Sequence, residues 1–126
     1  MKVYIDDQRK APDGWVQVFN VNEAVEFIVE NCDVITHIDF DYYLSETDNY
    51  ETGMKVIEYL MMFQEKYHVK IFHSPQENYT FHSSDSFMNE RMSARIASLF
   101  DARPVSSYGK TKMSQLQKLR NSKGRR

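Results

Sequence analysis

Two apolar runs near the start of the chain end in acid. Residues 2–5 give way to Asp6-Asp7, and residues 34–40 run into Asp39-Phe40-Asp41. In an open α/β sheet the carboxyl ends of the strands are where side chains from separate strands converge and ligands bind. Carboxylates gathered there raise one another's pKa unless a cation joins them. A Mg²⁺-type ion takes oxygen ligands and keeps waters or phosphate oxygens in its remaining positions. Asp6, Asp7, Asp39 and Asp41 are therefore expected to form a divalent-metal site, for Mg²⁺ or Mn²⁺, suited to phosphate chemistry.

The rest of the chain reads as alternating elements. Pro12 and Asp13-Gly14 signal a turn and rule out a helix directly after the first strand. Residues 15–19 (WVQVF) alternate partly, as a short strand does. Asn20 or Asn22 caps a helix whose stripe is Ala24, Val25, Phe27 and Ile28. Residues 34–40 are a strand, and the polar stretch 42–52 is a loop over the site. Residues 54–67 carry the clearest helical pattern, with Val56, Ile57, Leu60, Met61 and Phe63 on one face and Thr52 or Gly53 at its start. Residues 69–73 (VKIFH) are expected as a strand, residues 83–100 as a helix starting near Ser84, and residues 104–107 as a short last strand. This alternation predicts a three-layer α/β domain, a mostly parallel central sheet with helices on both faces.

A chain of 126 residues is long enough for one domain with its own core. Cys32 is the single cysteine, which excludes an internal disulfide and fits a reducing compartment. No apolar stretch approaches the roughly 18 residues that a membrane span needs. The first strand begins at once, leaving no room for a signal peptide, so the expected location is cytoplasmic. Charge is divided unevenly. All 18 acidic residues lie between Asp6 and Asp101, against nine basic ones in the same body, while residues 110–126 hold seven basic residues and no acid. Residues 1–109 are thus expected as the domain and residues 110–126 as a basic tail. Met113, Leu116 and Leu119 give that tail a weak helical spacing, and its last residues read as disordered. Such a tail attracts RNA or DNA electrostatically, an effect that fades with salt.

Three stretches carry the chemistry. In IDDQR (residues 5–9), Arg9 follows the acids and offers a planar donor fork to phosphate. In HIDFDYYL (residues 37–44), Asp39 and Asp41 share one face of the strand, and Ile38 and Phe40 point the other way. In IFHSPQENYTFHS (residues 71–83), His73 and Ser74 fall where the expected strand 69–73 emerges. His73 has the right pKa range for proton transfer, and Ser74 can donate to a phosphate oxygen. His37, His68 and His82 lack metal-ligand spacing and read as surface or structural residues.

Taken in order, IDDQRKAPDGW (5–15), DFD (39–41), TGMKVIEYL (52–60) and IFHS (71–74) resemble the cyclic-phosphate processing receiver family. The resemblance implies a receiver-like, flavodoxin-like fold with a Mg²⁺-binding acidic pocket, and activity on a cyclic phosphate of a nucleotide or RNA end. In that reading Asp6, Asp7, Asp39 and Asp41 hold the metal, Arg9 and Ser74 bind phosphate oxygens, and His73 protonates the leaving alkoxide. Two other readings stay open. One is an inactive or phospho-accepting regulator working by protein contact; the other is a nucleic-acid-associated protein binding through residues 110–126.

Overall fold

The computed structural model describes residues 1–100. Four short strands, β1 (Lys2–Ile5), β2 (Trp15–Val18), β3 (His37–Phe40) and β4 (Tyr79–Phe81), form one sheet in the order β2-β1-β3-β4. Every pairing is parallel, with Ile5 opposite Val18 and Phe40, and Phe40 opposite Phe81. These are the first four positions of the flavodoxin-like order 2-1-3-4-5, the α/β class expected from sequence. Three helices accompany the sheet: α1 (Val21–Glu30), α2 (Gly53–Tyr67) and α3 (Ser86–Ala97). No helix among the described residues is long and apolar enough to cross a membrane.

The helices begin where side chains can take up free backbone N–H groups. Asn20 accepts from Glu23 N at 2.8 Å, Thr52 from Lys55 N at 3.1 Å, and Asp85, rather than Ser84, from Met88 N at 3.1 Å. At its far end α2 stops on His68, whose left-handed backbone (φ 56°) closes the last turn.

Topology then decides which face of the sheet is covered. The steps from β2 to β3 and from β3 to β4 run the same way across the sheet, so right-handed crossovers put α1 and α2 on one side. The step from β1 to β2 runs the opposite way and would carry a helix to the other side, but Pro12 and Gly14 turn the chain without one. Side chains confirm the division. Val3, Ile5, Ile38 and Phe40 are fully buried with Ala24 and Ile28 of α1, Ile57 and Leu60 of α2, and Met92 and Ile96 of α3 in one core. Each such side chain contributes roughly 1.5–3 kcal/mol by leaving water. The alternate residues of the same strands, Tyr4, Trp15, Gln17, His37 and Asp39, lie outside that core. The described residues thus supply the sheet and one helical layer. The expected last strand (104–107) and the basic tail (110–126) lie outside them.

One expected element is replaced. Residues 69–73 are not a strand; the fourth strand is Tyr79–Phe81, ten residues later. The backbone N–H groups of Ile71 and Phe72 are taken by the Gln64 side chain, at 2.7 and 3.1 Å, instead of by a neighbouring strand. Ile71 and Phe72 are still buried, which accounts for their apolar pattern.

Candidate functional site

The ladder continues for one residue past three strands: Asp6 N bonds Val18 O, Asp41 N bonds Ile5 O, and His82 N bonds Phe40 O. Asp6, Asp41 and His82 therefore stand in one row at the carboxyl ends of β1, β3 and β4. The two-residue period aims all three to the side of Tyr4 and Asp39, away from the helices. One ligand atom from each lies within 4.8 Å of the others, close enough to share a cation.

His82 is the centre of this group. Its Nε2 bonds Asp6 Oδ2 at 2.8 Å and its Nδ1 bonds Asp39 Oδ1 at 2.7 Å. The ring also lies flat on Tyr4, with centroids 4.4 Å apart and planes 9° from parallel. Burial pulls the imidazole pKa down, but the hydrogen bonds to Asp39 and Asp6 outweigh it and hold the ring above its ordinary value. A protonated ring donates from both nitrogens, so it fits between two carboxylates.

Each acid has a separate task. Asp6, almost fully buried, uses Oδ1 to accept from the backbone N–H groups of Gln8 and Arg9, at 2.8 and 2.9 Å, and Oδ2 to meet His82. Asp41 accepts from Tyr42 N with Oδ1; burial, and then Asp6 nearby, raise its pKa. Asp7 stands apart from the row and helps line a cavity of about 320 Å³ with Asp6, Arg9, Asp41, Glu46 and Ser83. Burial raises the Asp7 carboxyl as well.

Backbone geometry fixes these positions. Gly53, at the start of α2, packs so tightly on the chain after β3 that a Cβ there would lie 2.1 Å from the Asp41 carbonyl oxygen. Gln17 ties down the loop after β1: its Nε2 donates to the Asp6 and Arg9 carbonyls and its Oε1 accepts from Ala11 N. Arg9 then reaches across to donate to the His82 carbonyl at 3.0 Å. Asn89 of α3 donates to the Ser83 carbonyl at 2.7 Å and holds the loop that follows His82.

Of the residues singled out from sequence, Asp6, Asp7, Asp41 and Arg9 come to one cavity, and Asp39 is tied to the row beside it through His82. The stretch 42–52 does lie over the site, contributing Tyr43, Ser45 and Glu46 to the cavity wall. His73 and Ser74 do not reach it. Ser74 is buried, with its Oγ toward the carbonyl of Ile35, and exposed His73 bonds the carbonyl of Cys32; both lie at the amino end of the sheet. In the position expected for them stand His82, bonded to Asp6, and Ser83, on the cavity wall. His82, expected from sequence as a surface or structural residue, is half-buried and bonded to both Asp6 and Asp39. The signal for it was present: Phe-His-Ser occurs twice, at 72–74 and 81–83, and only the second copy is followed, two residues on, by a side chain, Asp85, that caps an α-helix.

Comparison with curated proteins and with solved structures gave no match. The sequence profile of the Cyclic-phosphate processing Receiver domain matches residues 1–98, which include every strand and helix of the described residues and the whole row of Asp6, Asp41 and His82. With the parallel sheet in flavodoxin-like order and an acidic row at its carboxyl edge, the chain belongs to the cyclic-phosphate processing receiver domain family.

Proposed function

We propose that this chain is a metal-dependent phosphoesterase acting on a cyclic phosphate of a nucleotide or an RNA end. The observation that carries the reading is His82 between Asp6 and Asp39, with Asp41 in reach of the same cation. Two carboxylates and an imidazole within 4.8 Å of one another suit a divalent ion. The imidazole favours Mn²⁺ over Mg²⁺, which prefers oxygen ligands alone. Asp6, Asp41 and His82 would hold the ion, and it would supply charge to a phosphoryl oxygen and acidify a water.

Asp39 positions His82. By accepting from Nδ1–H it leaves the Nε2 lone pair to face the row, the arrangement that orients metal-bound histidines elsewhere. Without an ion, the same ring carries a proton on each nitrogen and itself balances the carboxylates. Arg9 uses one N–H on the His82 carbonyl, and the rest of its fork is available to phosphate oxygens. Ser83 and Ser84, both on the cavity wall, take the hydroxyl-donor role first given to Ser74. Asp7, on the wall of the same cavity and with its carboxyl raised above the ordinary value by burial, would protonate the leaving alkoxide.

The test is ³¹P NMR of the protein with 2′,3′-cyclic nucleotides and with RNA carrying a 2′,3′-cyclic phosphate, with Mn²⁺, with Mg²⁺ and with chelator. The expected result is ring opening to a phosphomonoester that needs the ion and is lost in Asp41→Asn and His82→Gln proteins that remain folded by circular dichroism. Turnover unaffected by chelator and by both substitutions would overturn the assignment. No turnover, together with a one-phosphoryl mass gain from acetyl phosphate, would favour the phospho-accepting regulator instead.

A further inference from the structure

The row of Asp6, Asp41 and His82 is only one end of the face that no helix of the described residues covers. Behind it, toward the amino ends of the strands, the same face is built from rings. Tyr4 lies under His82 and meets Trp15 edge-on at 6.3 Å, and Trp15 meets His37 edge-on at 6.3 Å. Lys2, paired in register with both Trp15 and His37, sets its ammonium 5.7 Å from the centre of the Trp15 ring. Tyr4 is buried by these neighbours, whereas Trp15 and His37 remain partly open to solvent and Lys2 is exposed. Interior packing does not account for Trp15 and His37, which are only half-buried and lie outside the core cluster.

We propose that this surface binds single-stranded RNA upstream of the reacting end, stacking a base on Trp15 and His37 and placing a backbone phosphate on Lys2. Aromatic rings on an open sheet, with cations beside them, are how single strands are held without base-specific contacts. Charge and continuity favour this occupant. A cation stands at each end, Lys2 over the Trp15 ring and Arg9 on the cavity wall. Residues 110–126 add seven basic charges that attract a polyanion to a body whose acids sit in the cavity and elsewhere. Lys2 and Asp6 are four residues apart on β1, so the ring surface begins roughly 13 Å from the acidic row. That separation exceeds the reach of a single nucleotide and suits a base further up the strand. The phosphoesterase reading enters only in the choice of which RNA end lies in the cavity; the stacking surface stands on its own geometry.

Trp15 is the single tryptophan of the chain, so its fluorescence reports on this surface. The full-length protein would be titrated with a short single-stranded RNA bearing a linear 3′-phosphate, which requires no turnover. Saturable quenching that weakens with salt is expected. Anisotropy of the labelled RNA should show Trp15→Ala raising Kd about 5- to 150-fold, as loss of one stacked base does. Trp15→Phe should retain most of the affinity, and His37→Ala gives an independent check should Trp15→Ala fold poorly. Absence of quenching, or a Kd unmoved by both Trp15→Ala and His37→Ala, would overturn the proposal. So would a Trp15 spectrum that shifts with protein concentration in the absence of RNA, because a second copy would then occupy the face. Quenching by RNA with no hydrolysis of any cyclic phosphate would leave the surface standing and remove the phosphoesterase reading alone.

Discussion

The two faces of this sheet are made from the same four strands and have almost nothing in common. On one face Val3, Ile5, Ile38 and Phe40 are closed off by three helices; on the other Tyr4, Trp15, His37, Asp39 and the row beyond them are rings, amides and acids. Most parallel sheets are buried on both sides and read as continuous apolar runs. Here the runs alternate, because among the described residues only one side carries the core. The lesson is a division of labour at single-residue resolution: Phe40 holds the fold, and its neighbours Asp39 and Asp41 hold the site.

Breaking the covered face should do the most damage. Phe40 is fully buried and stacks on Phe81 at 5.6 Å. Phe40→Ala is expected to cost about 3–5 kcal/mol in a urea or guanidinium titration. A loss below about 1 kcal/mol would mean that the core does not depend on this ring. Gly53→Ala strikes the seam between the faces, where a Cβ would collide with the Asp41 backbone. Overpacking should cost about 1–3 kcal/mol and should also displace Asp41, so Mn²⁺ binding should weaken in the fraction that folds.

Changes on the open face should leave stability nearly intact and alter chemistry. Asp39→Asn removes the carboxylate that orients His82, and loss of such a partner lowers metal affinity about 10- to 100-fold. Calorimetric titration with Mn²⁺ checks this, and unchanged affinity would remove Asp39 from the positioning role. The smallest effect is one of pH. The folded His82 pKa lies above the value of about 6.5 that the ring has when unfolded. Its contribution to stability is therefore complete below that unfolded value and is lost as pH rises through the folded one. The metal-free protein should melt at a lower temperature on the alkaline side of that window, and His82→Gln should flatten the slope.

The covered face was the more legible of the two. The first strand, the caps Asn20 and Thr52, and the inward stripe of α2 follow from local chemistry, and they occur where spacing put them. Asp6 and Asp41 were visible because a charged carboxylate that ends an apolar run cannot share the dry core of that run and must turn toward water or a cation. His82 was hidden for a physical reason. The run at 69–73 is longer and more apolar than Tyr79–Phe81, so pattern alone favours the wrong one of two Phe-His-Ser copies. The choice is made by long-range pairing. Gln64 satisfies the backbone of Ile71 and Phe72, and Tyr79 to Phe81 take the register against Ile38 to Phe40. Placement of α1 and α2 on one side was equally non-local, since it depends on strand order and not on the composition of any helix.

The loop after β1 falls into two halves with different prospects. Asp6 and Gln17 pin residues 6–11 from both sides, whereas Gly14, at φ 85°, has nothing within 4 Å of where a side chain would begin. Exposed tips of this kind accept insertions, because no buried backbone bond has to be rebuilt. The Asp13-Gly14 junction is thus a natural splice point, where a reporter peptide or a second module can be joined to the chain without disturbing Asp6 or Arg9.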